Sequence, residues 1–111
     1  MILVTGSAGY IGSQIAHYFE INNINYLGID NFLYSIPINI PNRKKFLKVD
    51  INDSDKIKKI IKKYNIKTVI HCAASSYVLE GETKKIEYKE NNYKNTKTFI
   101  NTCYKNLVNN F

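Results

Sequence analysis

Long hydrophobic runs, cysteine and proline are all scarce in this 111-residue sequence. No apolar stretch is long enough for a signal peptide or a membrane span, and the first, starting at Ile2, is only a few residues long. A strand that starts there leaves no room for a targeting extension, so the expected location is the cytoplasm. The two cysteines, Cys72 and Cys103, stand far apart with no metal-ligand spacing. That excludes a disulfide framework and a cysteine metal centre, and it suits a reducing compartment. Both prolines, Pro37 and Pro41, fall in one segment, and no low-complexity linker or internal repeat divides the chain. A chain this short holds one core, not two.

Aliphatic side chains, tyrosine and lysine are what the sequence has in quantity. Hydrophobic residues make up 44% of it, which rules out a disordered composition. The formal net charge of +7 would suit a nucleic acid or a membrane surface, but its distribution argues otherwise. In "DSDKIKKIIKKYN", Ile57, Ile60, Ile61 and Tyr64 share one face at about 100° per residue. Lys56, Lys58, Lys59, Lys62 and Lys63 occupy the rest of the circumference. That is an amphipathic helix with a solvated basic back. No aromatic-interleaved RNA-binding pattern accompanies it, so neither nucleic acid nor membrane is an expected partner.

Changes of period mark out the elements. Ile2 to Thr5 reads as a short buried strand bounded by glycine. From Tyr10 to Asn22 the period becomes helical, with Ile11, Ile15, Tyr18 and Phe19 on one face and Asn22-Asn23 as the stop. "NYLGID" is a second strand ending at Asp30, and "NFLYSIPINIPNRKK" a loop broken by its prolines. "KFLKVD" is a third strand. Asn52 or Asp53 caps the lysine-rich helix, with Asp55 in its first turn. "TVIHCA" is a fourth strand, apolar and β-branched as a central strand would be. "ASSYVLEGET" reads as a polar loop. Helix is expected again from Lys84 to Asn106, with a break near Asn91-Asn92. Tyr93, Thr96, Ile100, Cys103 and Leu107 would share its inner face. This alternation predicts an α/β fold, a Rossmann-like doubly wound parallel sheet joined by right-handed crossovers.

The first strand-to-helix turn, "VTGSAGYIG", carries the chemistry. Gly6 permits the tight turn, Gly9 lets the backbone approach a pyrophosphate, and Gly12 lets the helix lie close to the strand. The helix start then offers free N–H groups and partial positive charge to phosphates. A glycine triplet alone is weak evidence. Here it follows a strand and opens a helix, and Asp30 ends the next strand 18 residues after Gly12. A carboxylate there pairs with ribose hydroxyls and repels a 2′-phosphate, and Asn31 rather than arginine follows it, which points to NAD over NADP. Asp50 at the end of the third strand reads equally well as a helix cap. His71 reads as a core histidine bonded to backbone rather than a catalyst, and Cys72 as core, with no base nearby to make it a nucleophile.

"MILVTGSAGYIGS", "GIDNF", "KVDIND", "TVIHCAASSYV" and "EYKENNYKNT" follow in order. Together they resemble the N-terminal part of the extended short-chain dehydrogenase/reductases. Within that NAD-dependent epimerase/dehydratase family, "GYIGS", "DN" and "NNYKNT" point to the UDP-glucose 4-epimerases rather than the dehydratases. The resemblance implies NAD as cofactor. It gives the pyrophosphate turn to Gly6, Gly9 and Gly12, with backbone N–H groups from Tyr10 and Ile11. It puts Asp30 and Asn31 on the adenosine ribose, Ser35 toward a phosphate, and Asp50 and Ile51 beside the adenine. Cys72, Ala73 and Ala74 would pass under the cofactor, and Asn91 would fix the helix near the nicotinamide. Ser76 departs from the pattern, since many members carry a cofactor-contacting lysine there.

The implied reaction oxidises a sugar hydroxyl with NAD and returns the hydride to the other face of the keto-sugar. That interconverts UDP-glucose and UDP-galactose, and it needs a Tyr-x-x-x-Lys pair preceded by Ser or Thr. Tyr93 and Lys97 match the spacing, but on a helix ahead of the region where the family carries the pair. The resemblance implies a strand order 3-2-1-4, with the fifth strand, the catalytic set and the sugar-binding domain beyond Phe111. Residues 1–111 are therefore expected to be one NAD-binding N-terminal part, with no catalytic residue, no metal and no activity of its own. The alternatives are one half of a split enzyme whose partner is a separately encoded C-terminal half, or a stand-alone NAD-binding or protein-interaction module. In this order "TVIHC" borders an open sheet edge with no charge or proline to guard it, so self-association is expected there.

Overall fold

The computed structural model describes all residues, 1–111. Its strands are β1 (Ile2–Thr5), β2 (Tyr26–Asp30), β3 (Phe46–Lys48) and β4 (Thr68–His71). All pair in parallel, in the order β3-β2-β1-β4. Leu3 thus lies beside Leu27 on one side and Val69 on the other. The α/β, Rossmann-like expectation holds. The β-branched run of β4, however, takes an outer place in the sheet, not the central one its pattern indicated. Helices and the last residues of the chain cover it instead of strands on both sides. Val69 donates its N–H to the Asn110 carbonyl at 2.9 Å, and Asn109 donates to the Lys67 carbonyl at 2.9 Å. Asn110 already forms a parallel bridge with Thr68, so the tail begins to run as a neighbouring strand.

Helices cover both faces of the sheet. On one side α2 (Ser54–Tyr64) and α5 (Thr96–Lys105) bury Ile57, Ile60, Ile61, Phe99 and Cys103 against Leu3, Leu27, Ile29 and Val69. Each such side chain contributes roughly 1.5–3 kcal/mol when fully buried. The start of α2 is fixed by Asp53, whose carboxylate accepts from the Lys56 N–H at 3.1 Å. Its end is fixed by Asn65 in the left-handed region, and its lysines face water.

On the other side α1 (Tyr10–Ile21) packs Ala16 and Phe19 on Val4 and Tyr26. The inner face of α1 is made of Gly12, Ser13, Ala16 and Phe19, while Ile11 and Tyr18 are exposed. The expected stripe was thus rotated. The physical reason is Gly12: a Cβ there would strike the carbonyl oxygen of Gly6, so the helix turns its smallest residues inward to touch the strand-end turn.

The segment after β4 holds more helix than its polar composition indicated. α3 (Val78–Thr83) and α4 (Lys85–Lys89) are short, with no buried residue. A π-helical turn, Glu90–Asn95, joins α4 to α5 at the expected break. The wider turn changes which residues face inward. Phe99 and Cys103 are buried, while Tyr93, Ile100 and Leu107 of the expected stripe are exposed.

Candidate functional site

The C-terminal ends of β1, β2 and β4 open on one cleft of ≈ 510 Å³. Its floor is the glycine turn. Gly6 turns off β1 at φ +64°, and Gly9 precedes α1 with no side chain capping the helix. The first bond into the helix runs from the Ser13 N–H to the Gly9 carbonyl at 3.0 Å. The amides of Tyr10, Ile11 and Gly12 therefore have no helical acceptor, and they sit at the positive end of the helix dipole. Gly6, Gly9, Tyr10 and Ile11 line the cleft. Gly12 lies behind them, against Gly6.

Asp30 forms the corner between this floor and the first wall. Its carboxylate accepts from the Ala8 N–H at 3.0 Å on one oxygen. The other oxygen accepts from the Phe32 N–H and the Ser35 hydroxyl, each at 2.8 Å. Ser35, expected to reach a phosphate, thus spends its hydroxyl on Asp30 while still lining the cleft. Asn31 lines it too and donates its amide to Asp50 at 2.8 Å. Asp50 stands outside the cleft and holds Asn31 from behind, whereas Ile51 and Val49 form the apolar wall. Asn39 closes the back of the loop, donating to the Ala8 carbonyl at 2.9 Å.

Cys72, Ala73 and Ala74 make the opposite wall, followed by Ser76 and Tyr77. Burial pushes the Cys72 thiol above its ordinary pKa, so it is no ready nucleophile. Asn91 reaches the cleft from the π-helical turn and donates to the Ser75 hydroxyl at 2.8 Å. Asn92, which sequence reasoning passed over, does the heavier holding. Its side chain accepts from the Ser75 N–H and donates to the Ser75 carbonyl, both at 2.8 Å. Leu33, Tyr34 and Tyr77 were missed as well. Their signal was positional: each follows the carboxyl end of a strand, where such sheets place their sites.

His71 is held by side chains, not by the backbone as expected. Its Nδ1 lies 2.7 Å from the Thr5 hydroxyl and its Nε2 3.2 Å from the Thr96 hydroxyl. Burial lowers its pKa below the ordinary histidine value. It does not line the cleft, and neither does Tyr93 or Lys97. The Lys97 ammonium sits over the Tyr93 ring, 5.9 Å from its centroid.

This arrangement defines a class: a Rossmann-type α/β domain with its cleft at the topological switch point of the sheet. The chain belongs to the NAD dependent epimerase/dehydratase family, whose model matches residues 2–111. It is 37% identical over 99 residues to a UDP-glucose 4-epimerase of Halalkalibacterium halodurans, covering 89% of this chain and 29% of that one. It is 34% identical over 110 residues to a dTDP-D-glucose 4,6-dehydratase of Dictyostelium discoideum, covering 92% and 25%. Among solved structures, UDP-glucose 4-epimerase from Brucella ovis in complex with NAD superposes with a TM-score of 0.89 at 29% identity, covering 96% of this chain and 33% of that one. The chain thus spans about a quarter to a third of the length of these relatives.

Proposed function

We propose that the cleft binds NAD, and that residues 1–111 are the cofactor-binding part of an epimerase that interconverts UDP-glucose and UDP-galactose. The observation that carries this is the joint placement of the uncapped start of α1 and the Asp30 carboxylate on one cleft. The free amides of Tyr10 and Ile11 take the pyrophosphate, a charge–dipole contact worth up to about 2 kcal/mol when partly buried. Asp30 and Asn31 take the adenosine ribose, with Asp50 orienting Asn31. Ile51 and Val49 lie against the adenine. Cys72, Ala73, Ala74 and Asn91 face the nicotinamide half, and Ser35 exchanges its bond to Asp30 for the ligand.

When bound, NAD supplies hydride acceptance and return. These residues supply binding and orientation only. Tyr93 and Lys97 lie away from the cleft, so this chain alone is proposed to turn nothing over. A further strand is proposed to pair along β4, from a separately encoded C-terminal half or from a second copy. No helix is long and apolar enough to cross a membrane, and the cytoplasm is the proposed location. The choice of epimerase over dehydratase rests on the "GYIGS", "DN" and "NNYKNT" details.

Calorimetric titration tests the reading. NAD is expected to bind more tightly than NADP, and the purified chain is expected to leave UDP-galactose unconverted. Tighter NADP binding would overturn the role given to Asp30, and measurable conversion would overturn the absence of a catalytic set.

A further inference from the structure

The two walls of the cleft touch through a pair of aromatic rings. Tyr34, in the loop after β2, and Tyr77, in the segment after β4, place their rings 5.4 Å apart, edge to face at 63°. Both line the cleft, and both keep an outer surface, 40% and 57% exposed. Edge-to-face rings at this separation attract each other beyond the area they bury.

Each ring has its own backing. The Tyr88 hydroxyl donates to the Tyr77 carbonyl at 2.9 Å and lies 3.1 Å from a Glu80 carboxylate oxygen. Lys84 bonds the other Glu80 oxygen at 2.6 Å. That bond first of all holds the Glu80 carboxyl below its ordinary pKa. Behind Tyr34, Ser35 is tied to Asp30 and Asn39 to Ala8. One ring is thus anchored to the glycine turn and the other to α3 and α4. Asp30 and Ala74 line the same cleft as the two rings.

We propose that Tyr34 and Tyr77 form an aromatic clasp that opens to admit a dinucleotide and closes again over its middle. It sets the rates of entry and exit. The inference rests on the NAD reading of the cleft. Because the ring contact is present before binding and restored after it, removing it lowers the barrier in both directions.

Stopped-flow fluorescence of the full chain with NADH tests this, with circular dichroism to check that each variant is folded. Tyr34→Ala and Tyr77→Ala are each expected to raise both rate constants by roughly three- to tenfold. The double variant should be no faster than either single one. Tyr77→Phe keeps the ring and should keep the wild-type rates. Should an alanine variant lose its fold, leucine keeps the bulk without the ring and should give the same acceleration. Unchanged rates, or single effects that multiply in the double variant, overturn the clasp and leave NAD binding standing. Binding by neither the wild type nor the double variant overturns both. Binding by the double variant alone overturns a clasp that opens, and leaves NAD binding by the cleft standing.

Discussion

The Ala8 N–H and the Asp30 carboxylate, 22 residues apart in sequence, are joined by a hydrogen bond of 3.0 Å. The bond ties the glycine turn to the end of the neighbouring strand. Asp30 is 8% exposed and serves the Phe32 N–H and the Ser35 hydroxyl as well, so it organises the cleft before any ligand arrives. Asp30→Ala is therefore expected to act twice. Leaving a buried N–H unpaired costs about 1–3 kcal/mol, which denaturant unfolding would read as a lower midpoint. Calorimetry should separately find a narrower preference for NAD over NADP. Asp30→Asn retains one acceptor and should lose less stability.

Gly9 and Gly12 belong to one motif but are expected to fail differently. A Cβ on Gly12 would collide with the Gly6 carbonyl oxygen, and both atoms belong to packed backbone. Gly12→Ala should destabilise by about 3 kcal/mol, near the upper end of overpacking changes. A Cβ on Gly9 would sit 3.2 Å from the same oxygen and meet nothing else closely. Gly9→Ala should keep most of the melting temperature and lose NAD affinity. Equal thermal losses in the two variants would contradict this division.

His71 makes stability depend on pH. Burial lowers its pKa in the folded chain, so the unfolded chain binds the proton more readily. Its contribution is present above the unfolded histidine value of about 6.5 and is lost as pH falls from there through the folded value. Unfolding midpoints between about pH 5 and 8 should fall on the acid side. His71→Gln should flatten that part of the profile. Carboxylates lowered by lysine partners, such as Glu20 and Asp53, act only at more acid pH.

The outer edge of β4 should govern association. Only Asn109 and Asn110 bond along it, at Lys67, Thr68 and Val69. Sedimentation at tens of micromolar (roughly where exposed edges associate) is expected to find self-association, relieved by a C-terminal epimerase fragment. Val69 is 3% exposed and packs in the core, so a charge there would unfold the domain rather than guard its edge. Half-buried Ile70, on the opposite face, is the better position, and Ile70→Lys should reduce association while the chain stays folded. A monomer at these concentrations would mean that the tail already closes the edge.

Local pattern by itself determined the order of elements, the parallel sheet and most of the cleft. Each strand is a short run bounded by turn residues, α1 and α2 announce their ends although α3 does not, and the glycine turn and Asp30 are fixed by backbone geometry that few residues satisfy. The tertiary structure decided which helix faces turn inward. Gly12 against Gly6 set the face of α1, and a π-helical turn set that of α5, putting Phe99 inside and Ile100 out. It also decided what the polar groups bind. Asp50 supports Asn31 instead of lining the cleft, His71 bonds two threonines, Asn92 holds Ser75, and Tyr34 meets Tyr77. Periodicity reports which residues prefer burial. Partners tens of residues apart are chosen only when strand order and crossover helices bring them within bonding distance.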